Sequence, residues 1–205
     1  MVAMIAGMSP MNAAERPLKV VALGDSLTAG YQLPASAAFP VQLERELKAK
    51  GIAVEIAGAG VSGDTSTGGL ARLDWSVPDG TDAVIVELGA NDMLRGIDPK
   101  VTRAALEQIV RRLKARRIEV LLCGMLAAPN FGPDYAREFN TIYTELSSAN
   151  DVLLYPFFLD GVVTNAKLIQ ADGLHPTADG VAKIVAGVMP KVEELLARVR
   201  AKPAS

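Results

Sequence analysis

Five short apolar runs recur along the chain, at Leu18–Leu23, Ile52–Ala57, Ala83–Leu88, Glu119–Gly124 and Val152–Tyr155. None alternates cleanly between apolar and polar positions, the pattern expected of strands covered on both faces. The stretches between them read as helices. Pro40–Lys50 offers Val41, Leu43 and Leu47 as a buried stripe, with Pro40 in its first turn and Gly51 as its stop. A short helix is predicted around Leu70–Trp75. Pro99 opens a longer amphipathic one to about Arg116, lined by Val101, Leu106, Ile109, Val110 and Leu113. Another ends near Ala149, after a loop over Ala127–Pro133. Thr177 is placed to cap the last helix, which runs to about Arg200, and Pro190 should kink or restart it. Phe157–Ala171 has no regular pattern. Strands alternating with helices predict an α/β fold, a doubly wound five-stranded parallel sheet with helices on both faces.

Such sheets bind ligands outside the carboxyl ends of their strands, near the point where strand order reverses. In a flavodoxin-like order 2-1-3-4-5, three unusual loops become neighbours there: Gly24-Asp25-Ser26, Gly58 to Asp64, and Gly89-Ala90-Asn91-Asp92. The turn Asp172-Gly173-Leu174-His175-Pro176 follows the fifth strand and can fold over the same edge. Together these segments contain the parts of an acyl-transfer site. Ser26 is a candidate nucleophile and His175 a candidate general base. Asp172 can accept from the imidazole and fix its tautomer. The Ser26 and Gly63 N–H groups and the Asn91 side-chain amide are candidate oxyanion donors.

Each part also has a plainer reading. Ser26 can be a helix cap, Asp172-Gly173 a turn, and Asn91-Asp92 a cap for the next helix. Asp25 and Asp64 can be turn formers bonding their own loops, and Asp64 is expected to be mainly structural.

Composition narrows the chemistry. The 205 residues are half apolar and 21% charged, with a net charge of -2, so a sizeable core is expected within one domain. Residues 1–17 fit no element and read as an N-terminal tail or signal remnant ahead of a single domain over 18–205. The apolar stretch Val2–Met8 is too short to span a membrane. The basic cluster Arg111, Arg112, Lys114, Arg116 and Arg117 offers a phosphate-binding patch, but it sits at a helix C-terminus, where positive charge suits the dipole, and a solvated end is expected; Lys and Arg are otherwise spread out, so nucleic-acid binding is not expected. The lone cysteine, Cys123, lies in an apolar run and reads as core. The lone histidine excludes a His-rich metal site and makes His175 the one source of imidazole chemistry.

The four segments carry a resemblance. Gly24-Asp25-Ser26-Leu27, continued by Thr28-Ala29-Gly30-Tyr31, then Gly60-Val61-Ser62-Gly63-Asp64-Thr65, then Glu87-Leu88-Gly89-Ala90-Asn91-Asp92 with Leu94-Arg95-Gly96, and finally Asp172-Gly173-Leu174-His175-Pro176, occur in order. The chain resembles the SGNH (GDSL) hydrolases, and within them the bacterial arylesterase and thioesterase I/lysophospholipase L1 group. The resemblance covers the chain from about Leu18 to the final helix. It implies a serine esterase with Ser26, Asp172 and His175 as catalytic residues and Ser26, Gly63 and Asn91 as the oxyanion hole. It implies no cofactor and no metal, and a small-molecule acyl ester as partner rather than nucleic acid or an inserted membrane. Ala90 stands where close relatives often have glycine, a change expected to touch loop flexibility. Met93, Leu94, Ile97, Leu126 and Phe131 are expected to line an acyl pocket. Export to the periplasm or outside the cell is common among close relatives, so that location is expected over the cytoplasm.

Three other readings compete. Gly58-x-Gly60-x-x-Gly63, with Asp82 about twenty residues on, fits the dinucleotide-binding fingerprint literally. A noncatalytic ligand-binding domain of the same fold would leave Ser26 and His175 dispensable. A carbohydrate O-deacetylase would want aromatic sugar subsites, against which stand 5% aromatic residues and a single tryptophan, Trp75.

Overall fold

The computed structural model of the chain describes residues 16–202. The tail expected over residues 1–17 lies outside the described residues, apart from Arg16 and Pro17. Arg16 is anchored, its guanidinium reaching both carboxylate oxygens of Asp82 at 2.7 Å.

The elements are, in order, β1 (Leu18–Gly24), α1 (Ser26–Ala29), α2 (Phe39–Ala49), β2 (Val54–Gly60), α3 (Ser66–Ala71), α4 (Leu73–Ser76), β3 (Ala83–Glu87), α5 (Ala90–Leu94) and α6 (Pro99–Ala115). There follow β4 (Glu119–Cys123), α7 (Gly132–Asn140), α8 (Ile142–Asn150), β5 (Leu153–Tyr155) and α9 (Ala178–Ala201). The strands form one parallel sheet in the order β2-β1-β3-β4-β5. Parallel neighbours need right-handed crossovers, so reversing direction after β2 puts the connections on opposite faces. On one side α2 packs on β2 and against α9, which covers β3, β4 and β5; α6 meets α3, α8 and β4 on the other. Every residue of β3 is buried, since this central strand has neighbours on both edges and both faces.

Several boundaries differ from the pattern reading, each for a packing reason. β2 begins at Val54 and runs on through Gly58, Ala59 and Gly60, which pair with Ala22, Leu23 and Gly24. Glycine ends a strand by propensity, but here its missing side chain lets α1 and Pro40 lie against the strand. A Cβ on Gly60 would meet the Ala29 backbone nitrogen, and lie 2.8 Å from both Ala29 Cα and Asp25 O. The stripe of α2 is Phe39, Leu43 and Leu47, four residues apart on one face; Val41 falls off it and is exposed. On α6, Thr102 occupies the buried position expected of its neighbour Val101, because its hydroxyl has a buried acceptor in Asp92 at 3.0 Å. The helix expected at Leu70–Trp75 is the pair α3 and α4. α9 runs through Pro190 without a break. Proline removes a single N–H, and the helix stays held on either side by Val185, Val188, Val192 and Leu195, all buried.

The basic end of α6 is a solvated helix end. Arg116 donates to Val77 O at 2.7 Å and pairs with Asp79, Arg112 faces Asp74, and Lys114 donates to Asn150 O.

Gly60→Ala is expected to destabilise the protein by about 1–3 kcal/mol, the range for overpacking a site whose neighbours are backbone. Urea unfolding measures it, and an unchanged midpoint would show that α1 can yield to a methyl group.

Candidate active site

β1 ends at Gly24, and the chain turns at once into α1. Asp25 is the cap of that helix, its Oδ1 accepting from Leu27 N at 2.9 Å. Ser26 is therefore not the cap that one reading of the sequence makes it. It is the first helical residue, with its N–H at the open end of the turn. Neither that N–H nor the Gly63 N–H donates to an acceptor among the described residues. Gly63 lies in a tight turn closed by Asp64 N to Val61 O at 3.0 Å, with φ +81°, a conformation glycine adopts freely.

The Asp172–His175 turn, on the far side of the sequence, comes to Ser26. Ser26 Oγ lies 2.9 Å from His175 Nε2, and His175 Nδ1 lies 2.6 Å from Asp172 Oδ2. The other Asp172 oxygen accepts the His175 and Leu174 backbone N–H groups at 3.0 and 2.9 Å. Those two backbone donors, with the imidazole behind them, hold the Asp172 carboxyl down at about 2. An ionised carboxylate only accepts, so Nδ1 carries the proton and Nε2 turns its lone pair to the serine. Gln170 fixes the turn from below. Its N–H donates to His175 O at 2.7 Å, and its amide donates to Pro176 O and Tyr31 O, both at 2.9 Å.

Beneath Ser26 lie two buried carboxyl groups. Asp25 Oδ2 accepts from Asn91 Nδ2 at 3.0 Å, which ties the Asn91 amide to the residue before Ser26. Glu87, the last residue of β3, accepts from the Thr28 hydroxyl at 2.8 Å and the Asp25 N–H at 3.3 Å through Oε2. Its Oε1 has no partner among the described residues. Burial, then the Asp25 charge, raises Glu87 well above the ordinary carboxyl range. Burial also raises Asp25, to about 6, against the lowering effect of the Leu27 N–H and Asn91. Burial thus disfavours charge on both carboxyls, and at Glu87 the neighbouring Asp25 charge adds to that effect.

Arg72 joins the first two loops. Its buried guanidinium donates to Gly24 O at 2.8 Å, Ala59 O at 2.9 Å and Asp64 Oδ2 at 2.7 Å. Asp64 is structural, as expected. Asp92 ties the third loop in, accepting from the Ser66 N–H at 2.8 Å and from the Ser66 and Thr102 hydroxyls. It caps no helix of its own; it bridges α3 and α6.

The structure thus brings Ser26, His175 and Asp172 together, ties Asn91 to Asp25 next to Ser26, and puts Gly63 on the loop after β2. Of the five residues expected around an acyl chain, Leu94 and Leu126 are exposed and Ile97 and Phe131 half-buried. Tyr135 connects the latter two, its hydroxyl on Ile97 O at 3.0 Å and its ring 5.2 Å from Phe131. Met93 is buried in the core cluster. The dinucleotide fingerprint does not fit: Gly58 and Gly60 are paired inside β2, whereas the motif needs them in the turn to a helix. Asp82 lies at the opposite end of the sheet, committed to Arg16 and the Lys19 N–H. Arg72, Tyr31 and Gln170 escaped the sequence reading. Glu87 had a signal there, an acid at the end of a run buried on both faces. Among the described residues, no group of three or more His, Cys, Asp or Glu could hold a metal ion, and no helix is long and apolar enough to cross a membrane.

Two outcomes follow from the buried charges. Because Glu87 is raised on folding, the folded state holds more protons than the unfolded one above pH ~4.3, and stability falls as pH rises toward the folded value. Glu87→Gln should flatten that fall and raise Tm at pH 8, by about 2–4 °C for each kcal/mol relieved; a Tm lowered equally at pH 5 and pH 8 would contradict a Glu87 raised on folding. Arg72→Ala, leaving the half-buried Asp64 without its cation and two carbonyls with one donor fewer, is expected to cost about 3–5 kcal/mol in urea unfolding, and a loss under about 1 kcal/mol would assign Arg72 no such task.

The description of the GDSL-like lipase/acylhydrolase family matches residues 22–183. An arylesterase of Vibrio mimicus is 39% identical over 172 residues, 82% of this chain and 86% of the relative. Thioesterase 1/protease 1/lysophospholipase L1 of Escherichia coli K12 is 42% identical over 158 residues, covering 77% of this chain and 74% of that protein. The crystal structure of TesA superposes with a TM-score of 0.82 at 34% identity, over 86% of this chain and 99% of TesA. By sequence and by fold, the chain belongs to the GDSL-like lipase/acylhydrolase family.

Proposed function

We propose that the chain hydrolyses carboxylic esters through an acyl-enzyme, with aryl esters and short-to-medium acyl esters as its main substrates and thioesters as a related class. The observation that carries this reading is the unbroken relay from Ser26 Oγ to His175 Nε2 at 2.9 Å and from His175 Nδ1 to Asp172 at 2.6 Å. Ser26 attacks the ester carbonyl as His175 takes its proton, and Asp172 steadies the imidazolium. The oxyanion forms against the Ser26 and Gly63 N–H groups and the second N–H of the Asn91 amide, whose first is held by Asp25. His175 then gives its proton to the departing alcohol. A water, deprotonated by the same nitrogen, releases the acid. The names of the relatives, an arylesterase and a thioesterase/lysophospholipase, support this substrate range.

The test is hydrolysis of p-nitrophenyl esters from acetate to decanoate. Ser26→Ala is expected to abolish turnover, and Asp172→Asn to lower kcat about 10⁴-fold by releasing the wrong tautomer. Asn91→Ala should cost about 10²–10³ in kcat, the loss of one oxyanion donor. Turnover surviving in Ser26→Ala, with the fold intact by circular dichroism, would remove Ser26 as nucleophile.

A further inference from the structure

Tyr31 is set between the two segments that carry Ser26 and His175. Gly30, at φ +75°, turns the chain out of α1, and the Tyr31 N–H returns to Ser26 O at 3.1 Å. The Tyr31 carbonyl accepts from Gln170, whose amide also holds Pro176 O beside His175. The backbone of Tyr31 is thus tied to both. Its ring lies 4.5 Å from the imidazole, centroid to centroid, tilted by 37°. Yet the residue stays 40% exposed, and its hydroxyl has no hydrogen-bond partner among the described residues.

An anchored aromatic ring half in solvent, touching the proton-carrying imidazole, has a chemical consequence. The atom that receives the His175 proton is the leaving-group oxygen, which must come within hydrogen-bond reach of Nε2. The substituent on that oxygen is then brought close to the ring that packs on the imidazole. A flat aromatic substituent gains from offset or edge contact with such a ring beyond what its buried area supplies. We propose that Tyr31 is a specificity-determining residue that receives the aromatic alcohol of aryl esters beside His175. This inference rests on the ester-hydrolase reading above. It assigns the leaving-group side of the site, whereas Leu94, Ile97, Leu126 and Phe131 concern the acyl side.

The experiment compares kcat/KM for phenyl acetate with that for a fluorinated alkyl acetate of matched leaving-group acidity. Both give the same acetyl-enzyme, so kcat/KM isolates the step in which the alcohol is still bound. Tyr31→Leu keeps an apolar side chain without the ring, and is expected to lower the phenyl acetate value about five- to tenfold while leaving the alkyl ester within about twofold. Tyr31→Phe should keep the wild-type ratio, because the hydroxyl is unpartnered. Equal losses on both esters would overturn the proposal and leave Tyr31 acting through His175 alone; no loss on either would also overturn it. In the unaltered protein phenol should inhibit competitively at lower concentration than cyclohexanol, and equal inhibition would count against the assignment even if Tyr31→Leu failed to fold. Hydrolysis persisting in Ser26→Ala would instead strike the underlying ester-hydrolase reading.

Discussion

The guanidinium of Arg72 occupies the gap where β1 and β2 end, and the spacing of the site depends on it. Gly24 O, the last carbonyl of β1, accepts the Val61 N–H at 3.0 Å and has room for a second donor, and Ala59 O lies one residue short of the end of β2. Arg72 takes one carbonyl from each, Gly24 O and Ala59 O, and balances its charge on Asp64 in the Gly63 turn. A planar group with five donors in a fixed fork can do this; a lysine, with a single ammonium centre, cannot reach three acceptors in one plane. The Gly24 end and the Gly63 turn are thus joined by a rigid side chain as well as by the Val61 N–H to Gly24 O bond at 3.0 Å. Arg95 reinforces the outer face of the same turn, donating to Gly63 O at 2.6 Å.

Under this frame the chain buries acid where an apolar core would be more stable. Glu87 sits at the end of a strand whose other residues are Ala, Val and Ile, fully enclosed. Its raised proton affinity limits the electrostatic cost, since a neutral carboxyl loses far less on leaving water than a charged one. Asp25, its neighbour, orients Asn91 by accepting from its side-chain amide. The buried pair thus trades stability for a defined position of one amide.

The two ends of the Ser26–His175–Asp172 relay are built differently. Asp172 and His175 are three residues apart, and their geometry comes from one turn, with the carboxylate bonded to the backbone N–H of its own partner. Ser26 and His175 are separated by 149 positions, and their meeting requires the sheet, α1 and the long irregular passage after β5 to agree. Gln170 closes that circuit through two hydrogen bonds to backbone, at Pro176 O and at the carbonyl of residue 31.

The periodicity of the sequence determined the parallel α/β sheet, because a strand buried on both faces must be apolar throughout and that is visible residue by residue. Local spacing determined the Asp172–His175 pair, and the single histidine left one candidate base. Tertiary structure alone decided the rest. Whether Gly58–Gly60 continue β2 or begin a loop depends on how closely α1 and Pro40 approach, which no local preference encodes. Whether Val41 and Val101 face the core depends on a helix phase set by Phe39 and Thr102, the latter buried through a bond to Asp92. The tasks of Arg72, Glu87, Tyr31 and Gln170 include contacts 13, 59 and 139 positions away along the chain. Burial and hydrogen-bond partners are properties of a place in the fold, and a residue acquires them only when the chain has closed around it.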